Sequence, residues 1–125
     1  MKVLVLEKNK LTQSLYLFLE GISKGLRAKI FNKFQSYVEH GDVYHCKSLK
    51  ALNARIWNYK GTIYKLRVDN GKESARVLFA KSKHGDLIII HGFLKSTRKT
   101  PAKDARQAIS IYHQLDSLGV CLWEG

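Results

Sequence analysis

Four side chains in the second half of the chain combine lasting positive charge with a group that can exchange a proton near neutral pH. Lys65, Arg67 and Arg76 are charged at pH 7, and the fourth residue, His91, has an ordinary pKa of about 6.5. An arginine binds phosphate through two donors, and a histidine near its pKa serves as a general acid or base. The four residues therefore predict a site that binds phosphate and moves a proton beside it.

These residues fall in three segments that are typical of β-strands. Residues 62–68, 74–80 and 87–95 are rich in β-branched and other apolar side chains, and turn residues around Gly71 and Gly85 separate them. Three strands joined by short turns predict an antiparallel meander.

Side chains alternate between the two faces of a strand, so the predicted meander can be analysed face by face. Turns of four residues and then of six residues place Lys65 and His91 opposite Arg76, and Arg67 opposite Ser74. A shift of either hairpin by two residues changes these pairs but leaves the four candidate residues on one face. Like charges directly across strands are destabilising, and a bound anion would remove that cost.

Two simpler explanations of this face stay open. Charged residues on a one-sided sheet can face solvent without any ligand, and a single histidine in an apolar strand is at least as often packed or hydrogen-bonded as catalytic. Arg76 is harder to explain by packing because its strand otherwise reads Ala-Val-Leu-Phe, although it could pair with Glu73 or Asp86.

A second group of basic residues follows the third strand. It lies beside Thr100 and Pro101, a pair typical of a helix start, where free N–H groups attract phosphate. The group consists of Lys95, Arg98, Lys99 and Lys103. We expect these residues to hold a polyanionic backbone beside the sheet face.

The first 40 residues predict one strand and two helices. An apolar run at residues 1–6 is typical of a strand, and apolar residues recur at helical spacing over residues 11–22 and again over residues 26–38. We expect Gly25 to separate the two helices and Gly41 to end the second.

The rest of the chain predicts a connector and a C-terminal helix. Residues 43–60 favour neither helix nor strand, whereas Thr100 is expected to cap a helix that begins at Pro101 and ends near Gly119. The apolar face of this helix comprises Ala105, Ala108, Ile109, Tyr112 and Leu115. Since no repeat or linker divides the chain, residues 1–125 predict a single α+β domain.

Composition narrows the choice of partner. The chain of 125 residues has 22 Lys plus Arg against 10 Asp plus Glu, a formal net charge of +12, which points first to nucleic acid. A membrane surface ranks lower because the basic residues run through strands and loops. Residues 1–6 are too few for a signal or membrane segment. Cys46 and Cys121 lie far apart, so neither a zinc site nor a disulfide framework is indicated, which fits the cytoplasm.

Three segments resemble a known family. They read IYKLRV at residues 63–68, ARVLF at residues 75–79 and IHGFLKSTRKTP at residues 90–101. The phage-derived HigB branch of the RelE/ParE toxin superfamily has a strand close to YELR, followed by YRVLF and by HGFxKKTxKTP, so the C-terminal half of the chain is similar to it. Ala75 replaces an aromatic residue frequent in the family, and a C-terminal tyrosine of some members could correspond only to Tyr112. The resemblance thus leaves the proton donor unassigned.

The resemblance implies a microbial-ribonuclease-like sheet with helices packed on one side. It also implies a toxin that cuts mRNA, usually in the ribosome, with no metal or cofactor. A cognate antitoxin, often a helix-turn-helix protein, would be its partner, and operator DNA would be bound only through the complex of the two. The alternatives are a ParE-like inhibitor of DNA gyrase without nuclease activity and a non-catalytic nucleic-acid-binding module.

Cleavage of RNA without metal assigns a role to each candidate residue. The reaction needs a base for the 2′-OH proton, cations for the charge that develops around phosphorus, and an acid for the departing 5′ oxygen. His91 or Lys65 is the candidate base or acid. Arg67 and Arg76 are the candidate phosphate stabilisers, because a guanidinium stays charged and donates twice.

Overall fold

A mixed six-stranded sheet forms the centre of the protein in the computed structural model, which describes residues 1–40, 49–95 and 99–125. The strands are β1 (Val3–Leu6), β2 (Leu49–Ala51), β3 (Tyr64–Asn70), β4 (Glu73–Lys81), β5 (Leu87–Leu94) and β6 (Val120–Leu122). The helices are α1 (Gln13–Gly21), α2 (Lys24–His40), α3 (Ala54–Trp57) and α4 (Ala102–His113). The predicted α+β class is confirmed.

The boundary between α1 and α2 differs from the prediction. Gly25 lies inside α2, and the chain instead turns at Ile22, whose backbone is extended with ψ 159°. The next residue, Ser23, accepts a hydrogen bond from the backbone N–H of Leu26 at 3.1 Å and so caps the start of α2. Gly41, the expected end of this helix, lies outside the described residues.

The strand order is β2-β3-β4-β5-β1-β6. Strands β3, β4 and β5 form the predicted antiparallel meander, with bounds within two residues of those expected. Strand β1 pairs parallel with β5 and antiparallel with β6, so the sheet as a whole is mixed. The predicted connector at residues 43–60 includes β2 and α3, which add an edge strand beside β3 and one helical turn.

Helices cover both faces of the sheet, which corrects the expectation of helices on one side. On one face, the ring of Phe34 in α2 packs edge-on against Phe79, with 5.2 Å between centroids. On the other face, α4 packs on β5 and buries Ala105, Ala108 and Ile111. The candidate residues lie on this second face, beside α4.

The β3–β4 hairpin is tighter than predicted. Its turn contains two residues and places Gly71 at φ +63°, a conformation that glycine adopts at low cost. Arg67 therefore pairs with Arg76, and Lys65 with Leu78, so both predicted pairs are wrong by two residues. The face assignment is confirmed for all three basic residues because the difference is an even number.

A β-bulge interrupts the pairing of β4 with β5. Leu78 pairs with His91, the register shifts between Leu78 and Phe79, and Ile90 has no counterpart in β4. The predicted pair of Arg76 with His91 is therefore wrong. The shift nevertheless keeps His91 on the same face as Arg76, as expected.

Helix α4 is shorter than predicted. Pro101 is its N-cap, with φ −60°, rather than its first helical residue, and Thr100 makes no capping hydrogen bond. The helix ends at His113 instead of near Gly119. At its C-terminal end, the hydroxyl of Tyr112 accepts the backbone N–H of Thr62 at 3.2 Å, which attaches the helix to the segment before β3.

Gly92 in β5 permits close packing of α1 on the sheet. A Cβ at this position would lie 2.3 Å from Cε2 of Phe18. We expect Gly92→Ala to lower the free energy of unfolding, measured by urea denaturation, by about 1–3 kcal/mol because the ring must move. The control is Gly21→Ala, whose added Cβ has nothing within 4 Å. Equal midpoints for the two variants would contradict this packing constraint.

Candidate active site

Arg67 and Arg76 face each other in the centre of the β3–β4 hairpin and share one carboxylate. Arg67 Nε donates to Asp69 Oδ2 at 2.9 Å. Arg76 Nη1 donates to Ser74 Oγ at 3.0 Å and to the carbonyl of Ala75 at 3.0 Å, and the Ser74 hydroxyl donates to Asp69 Oδ1 at 2.6 Å. Asp69 thus contacts one guanidinium directly and the other through a hydroxyl.

The two arginines differ in burial. The side chain of Arg67 is 60% exposed, whereas Arg76 is only 6% exposed. Burial, and then the charge of Arg67, lower the pKa of Arg76, while Asp69 opposes this shift. The hydrogen bond from Ser74, followed by the bond and charge of Arg67, lowers the pKa of Asp69. The charge of Arg67 therefore contributes to both pKa shifts, after the larger effects of burial on Arg76 and of the Ser74 hydrogen bond on Asp69.

The ion pairs that could have explained Arg76 do not form. Glu73 Oε1 accepts from Ser23 Oγ at 2.5 Å, and Asp86 Oδ1 accepts from the backbone N–H of Lys2 at 2.8 Å. Over residues 1–40, 49–95 and 99–125, no carboxylate lies within ion-pair distance of Arg76. A buried guanidinium with hydroxyl and carbonyl acceptors retains unbalanced charge.

Lys65 lies on the same face, half-buried between β2 and the start of α4. Its ammonium donates to Thr100 Oγ1 at 2.8 Å. Burial lowers the pKa of Lys65, and the charges of Lys95, Arg76 and Lys50 lower it further. Proton release from this ammonium is therefore easier than from an ordinary lysine.

The second basic group divides into a near part and a far part. The backbone N–H of Lys95 donates to the Ser74 carbonyl at 2.7 Å, and burial followed by the charges of Arg76 and Arg67 lowers the pKa of Lys95. Lys99 and Lys103 are exposed further along the chain, whereas Arg98 lies outside the described residues. The structure thus brings Lys95 together with the residues of the sheet face.

His91 is beneath α4 rather than on the open surface. It is 2% exposed, and its Nε2 lies 2.8 Å from Asp104 Oδ1. Burial lowers the pKa of His91, and the hydrogen bond and charge of Asp104 partly oppose this shift. Among the described residues, the other ring nitrogen, Nδ1, has no hydrogen-bond partner. This is the geometry of a packed, hydrogen-bonded histidine.

Three residues that contact or influence the predicted set were missed in the sequence. Asp104 lies four residues before Ala108 and seven before Ile111, so an acidic residue within an apolar helical face is the signal that could have found it. Lys50 lies in residues 43–60, which favour neither helix nor strand, and Asp69 falls in the four-residue turn predicted before Gly71. Neither of these two had a usable signal.

The described ranges contain neither a metal-binding cluster nor a membrane-spanning helix. There, no three His, Cys, Asp or Glu residues lie close enough to hold a metal ion. The helices in the same ranges are too short or too polar to cross a membrane.

A family model matches most of the chain. A family model described as Phage derived protein Gp49-like (DUF891) matches residues 17–113. The matched span contains α2, the meander and α4 in full, and with them the four candidate residues of the sheet face. No curated protein matches the chain significantly.

The burial of His91 predicts a pH-dependent stability. In the unfolded chain His91 has an ordinary pKa of about 6.5, whereas folding lowers it, so the unfolded state binds more protons below that pH. We expect the free energy of unfolding in urea to fall between about pH 7 and about pH 5, and His91→Gln to remove part of this decrease. The control His84→Gln removes an exposed histidine from the β4–β5 turn. An identical decrease in His91→Gln and in the wild type would contradict the assignment.

Proposed function

We propose that this chain is the toxin of a type II toxin–antitoxin pair and that the toxin cuts mRNA. The chain belongs to the Gp49-like family of phage-derived proteins, which is a RelE/toxin-like family. In this proposal it is a metal-independent endoribonuclease that acts on mRNA in the ribosome and so inhibits translation. The features that support the nuclease assignment are the charges and contacts of the face formed by β3, β4 and β5.

The buried charge of Arg76 carries the proposal. Taking a guanidinium out of water costs several kcal/mol unless an anion and good hydrogen bonds compensate. Here Arg67, Lys65 and Lys95 add further positive charge around it, and the Asp69 carboxylate contacts Arg67 and Ser74 rather than Arg76 itself. A phosphodiester on this face would supply the missing negative charge and accept hydrogen bonds from both guanidinium groups.

The proposed reaction is attack by the ribose 2′ oxygen on the adjacent phosphorus. The bond from the 2′ oxygen to phosphorus forms and the bond to the 5′ oxygen breaks, which yields a cyclic 2′,3′-phosphate and a 5′-hydroxyl end. Arg67 and Arg76 stabilise the charge that develops on the non-bridging oxygens. The Lys65 ammonium donates a proton to the departing 5′ oxygen, and the 2′-OH proton passes to water on the open face.

The proton role goes to Lys65 rather than His91 because of burial. Lys65 is half-buried and lies beside the arginine pair, whereas His91 is 2% exposed under α4. In the proposal His91 acts indirectly, by holding α4 in place.

Other parts of the chain and the partners complete the proposal. Lys95, Arg98, Lys99 and Lys103 would follow the phosphate backbone of the RNA on either side of the cut. The chain would act in the cytoplasm and be inhibited by a cognate antitoxin, a helix-turn-helix protein through which the complex would bind operator DNA.

The central test is Arg76→Ala. We expect cleavage to fall at least about a hundredfold, because the variant removes one of the two guanidinium groups that would stabilise the developing charge. Primer extension on mRNA from a translating extract measures the cuts, and a melting curve verifies folding. The matched control Arg106→Ala removes an exposed arginine of α4 with the same change in net charge. Cutting by a folded Arg76→Ala protein at the rate of the control would disprove the role of Arg76.

The same preparation separates the alternatives. Inhibition of DNA gyrase in a supercoiling assay, with no cut in any mRNA, would replace the proposal with a ParE-like function. Binding to RNA that falls steeply with salt, without cleavage under any translating condition, would indicate a non-catalytic binding module.

A further inference from the structure

The start of α4 is attached to the sheet by two polar contacts. One is between His91 in β5 and Asp104 in the first turn of α4, with Nε2 and Oδ1 2.8 Å apart. The other is between Lys65 in β3 and Thr100, just before the helix, with Nζ and Oγ1 2.8 Å apart. One contact is under the helix and the other is at the edge of the arginine face.

The contact between His91 and Asp104 is expected to add little to the net stability of the fold. The side chain of His91 is 3% exposed and that of Asp104 21%, and they lie beside the buried Ala105 and Ala108 of α4. A pair of polar groups taken out of water is often no more stabilising than apolar side chains of similar volume. Its distinctive property is direction, since a carboxylate only accepts and therefore requires the hydrogen of His91 on Nε2.

The second contact depends on the first through the backbone. Thr100 directly precedes Pro101, the N-cap of α4, whose ring restricts φ near the observed −60°. Asp104 lies three residues further, in the first turn of the helix. The fixed first turn and the proline ring, which restricts its own φ and the backbone of the residue before it, limit where Thr100 can lie.

Lys65 needs that hydroxyl because its other neighbours repel it. Lys95, Arg76 and Lys50 all lower the pKa of its ammonium, as does burial. Lys50 lies directly across from Lys65 in the β2–β3 pair. Among the residues that the structure describes, the Thr100 hydroxyl is the acceptor that holds this ammonium on the face. Without it, repulsion would move the flexible side chain toward solvent.

We propose that Asp104 is a positioning residue for Lys65, acting through His91, the first turn of α4 and the hydroxyl of Thr100. The catalytic part of this inference rests on the proposed nuclease function. The structural part, that removal of Asp104 releases the Lys65 ammonium, does not depend on it.

The structural part is tested in the free protein, without RNA. The pKa of Lys65 is followed by NMR with ¹³C-labelled lysine, and its resonance is assigned by its absence from Lys65→Arg. We expect Asp104→Ala to raise this pKa toward its ordinary value, since the ammonium gains solvent and leaves its like-charged neighbours. The control Asp116→Ala removes an exposed carboxylate and should leave the pKa of Lys65 where it is. A pKa that is unchanged or lower in Asp104→Ala would overturn the inference.

The catalytic part is tested by a double-mutant cycle. We expect Asp104→Ala to lower kcat about tenfold to a hundredfold with little change in KM, because the phosphate-binding arginines stay in place. In the background of Lys65→Ala, Asp104→Ala should cause no further loss. Losses that multiply in the double variant would show that Asp104 acts independently of Lys65.

Thr100 provides a second route if Asp104→Ala does not fold. Thr100→Val removes the acceptor at nearly constant volume and should reproduce the loss of kcat. Thr100→Ser keeps the hydroxyl and should retain the wild-type kcat. Full activity in Thr100→Val would overturn the inference. A wild-type protein that cuts no RNA would disprove the nuclease proposal alone, since the titration of Lys65 would still test the positioning.

Discussion

The buried guanidinium of Arg76 determines which polar and charged groups must surround it on the sheet face. It lies in the middle of β4, between two strands of the meander, and is 6% exposed. Its hydrogen bonds go to Ser74 and to a backbone carbonyl, and Asp69 makes no direct hydrogen bond to it but binds the Ser74 hydroxyl. Because Arg67 lies directly opposite Arg76 in the hairpin, it adds to the local positive charge instead of neutralising it. The sheet can keep this arrangement because its other face is packed against α1 and α2.

The meander and its charged face could be predicted because a period of two is directly visible in the sequence. The pairing of individual residues could not, since turn length is a local backbone choice and the hairpin at Gly71 closes two residues tighter than expected. The parallel pairing of β1 with β5 could not be predicted from the sequence either. Strand β5 is buried on both faces, and its apolar run, from Leu87 to Ile90, contains no alternation to analyse.

The parts of the candidate site that escaped prediction come from other elements folding over the face. Lys50 lies on β2, whose three residues are too short for a recognisable pattern. The burial of His91 depends on α4 crossing this side of the sheet, and helical periodicity gives the apolar side of a helix but not the sheet face that it will cover. The place of Asp104 within an apolar helical face is explained only by its contact with His91, which the sequence does not show.

The β-bulge creates one position in β5 where a residue can be removed without exchanging the two faces of the strand. Beyond the bulge, Leu78 pairs with His91, and before it Phe79 pairs with Ile89, so the two halves of the strand are joined by Ile90 alone. Deletion of Ile90 would restore an uninterrupted ladder and leave every other side chain on its present face. Deletion of a residue from the middle of β4 would instead exchange core and site for the remainder of that strand. The meander can therefore lose one residue at the bulge at the expense of the packing of one isoleucine.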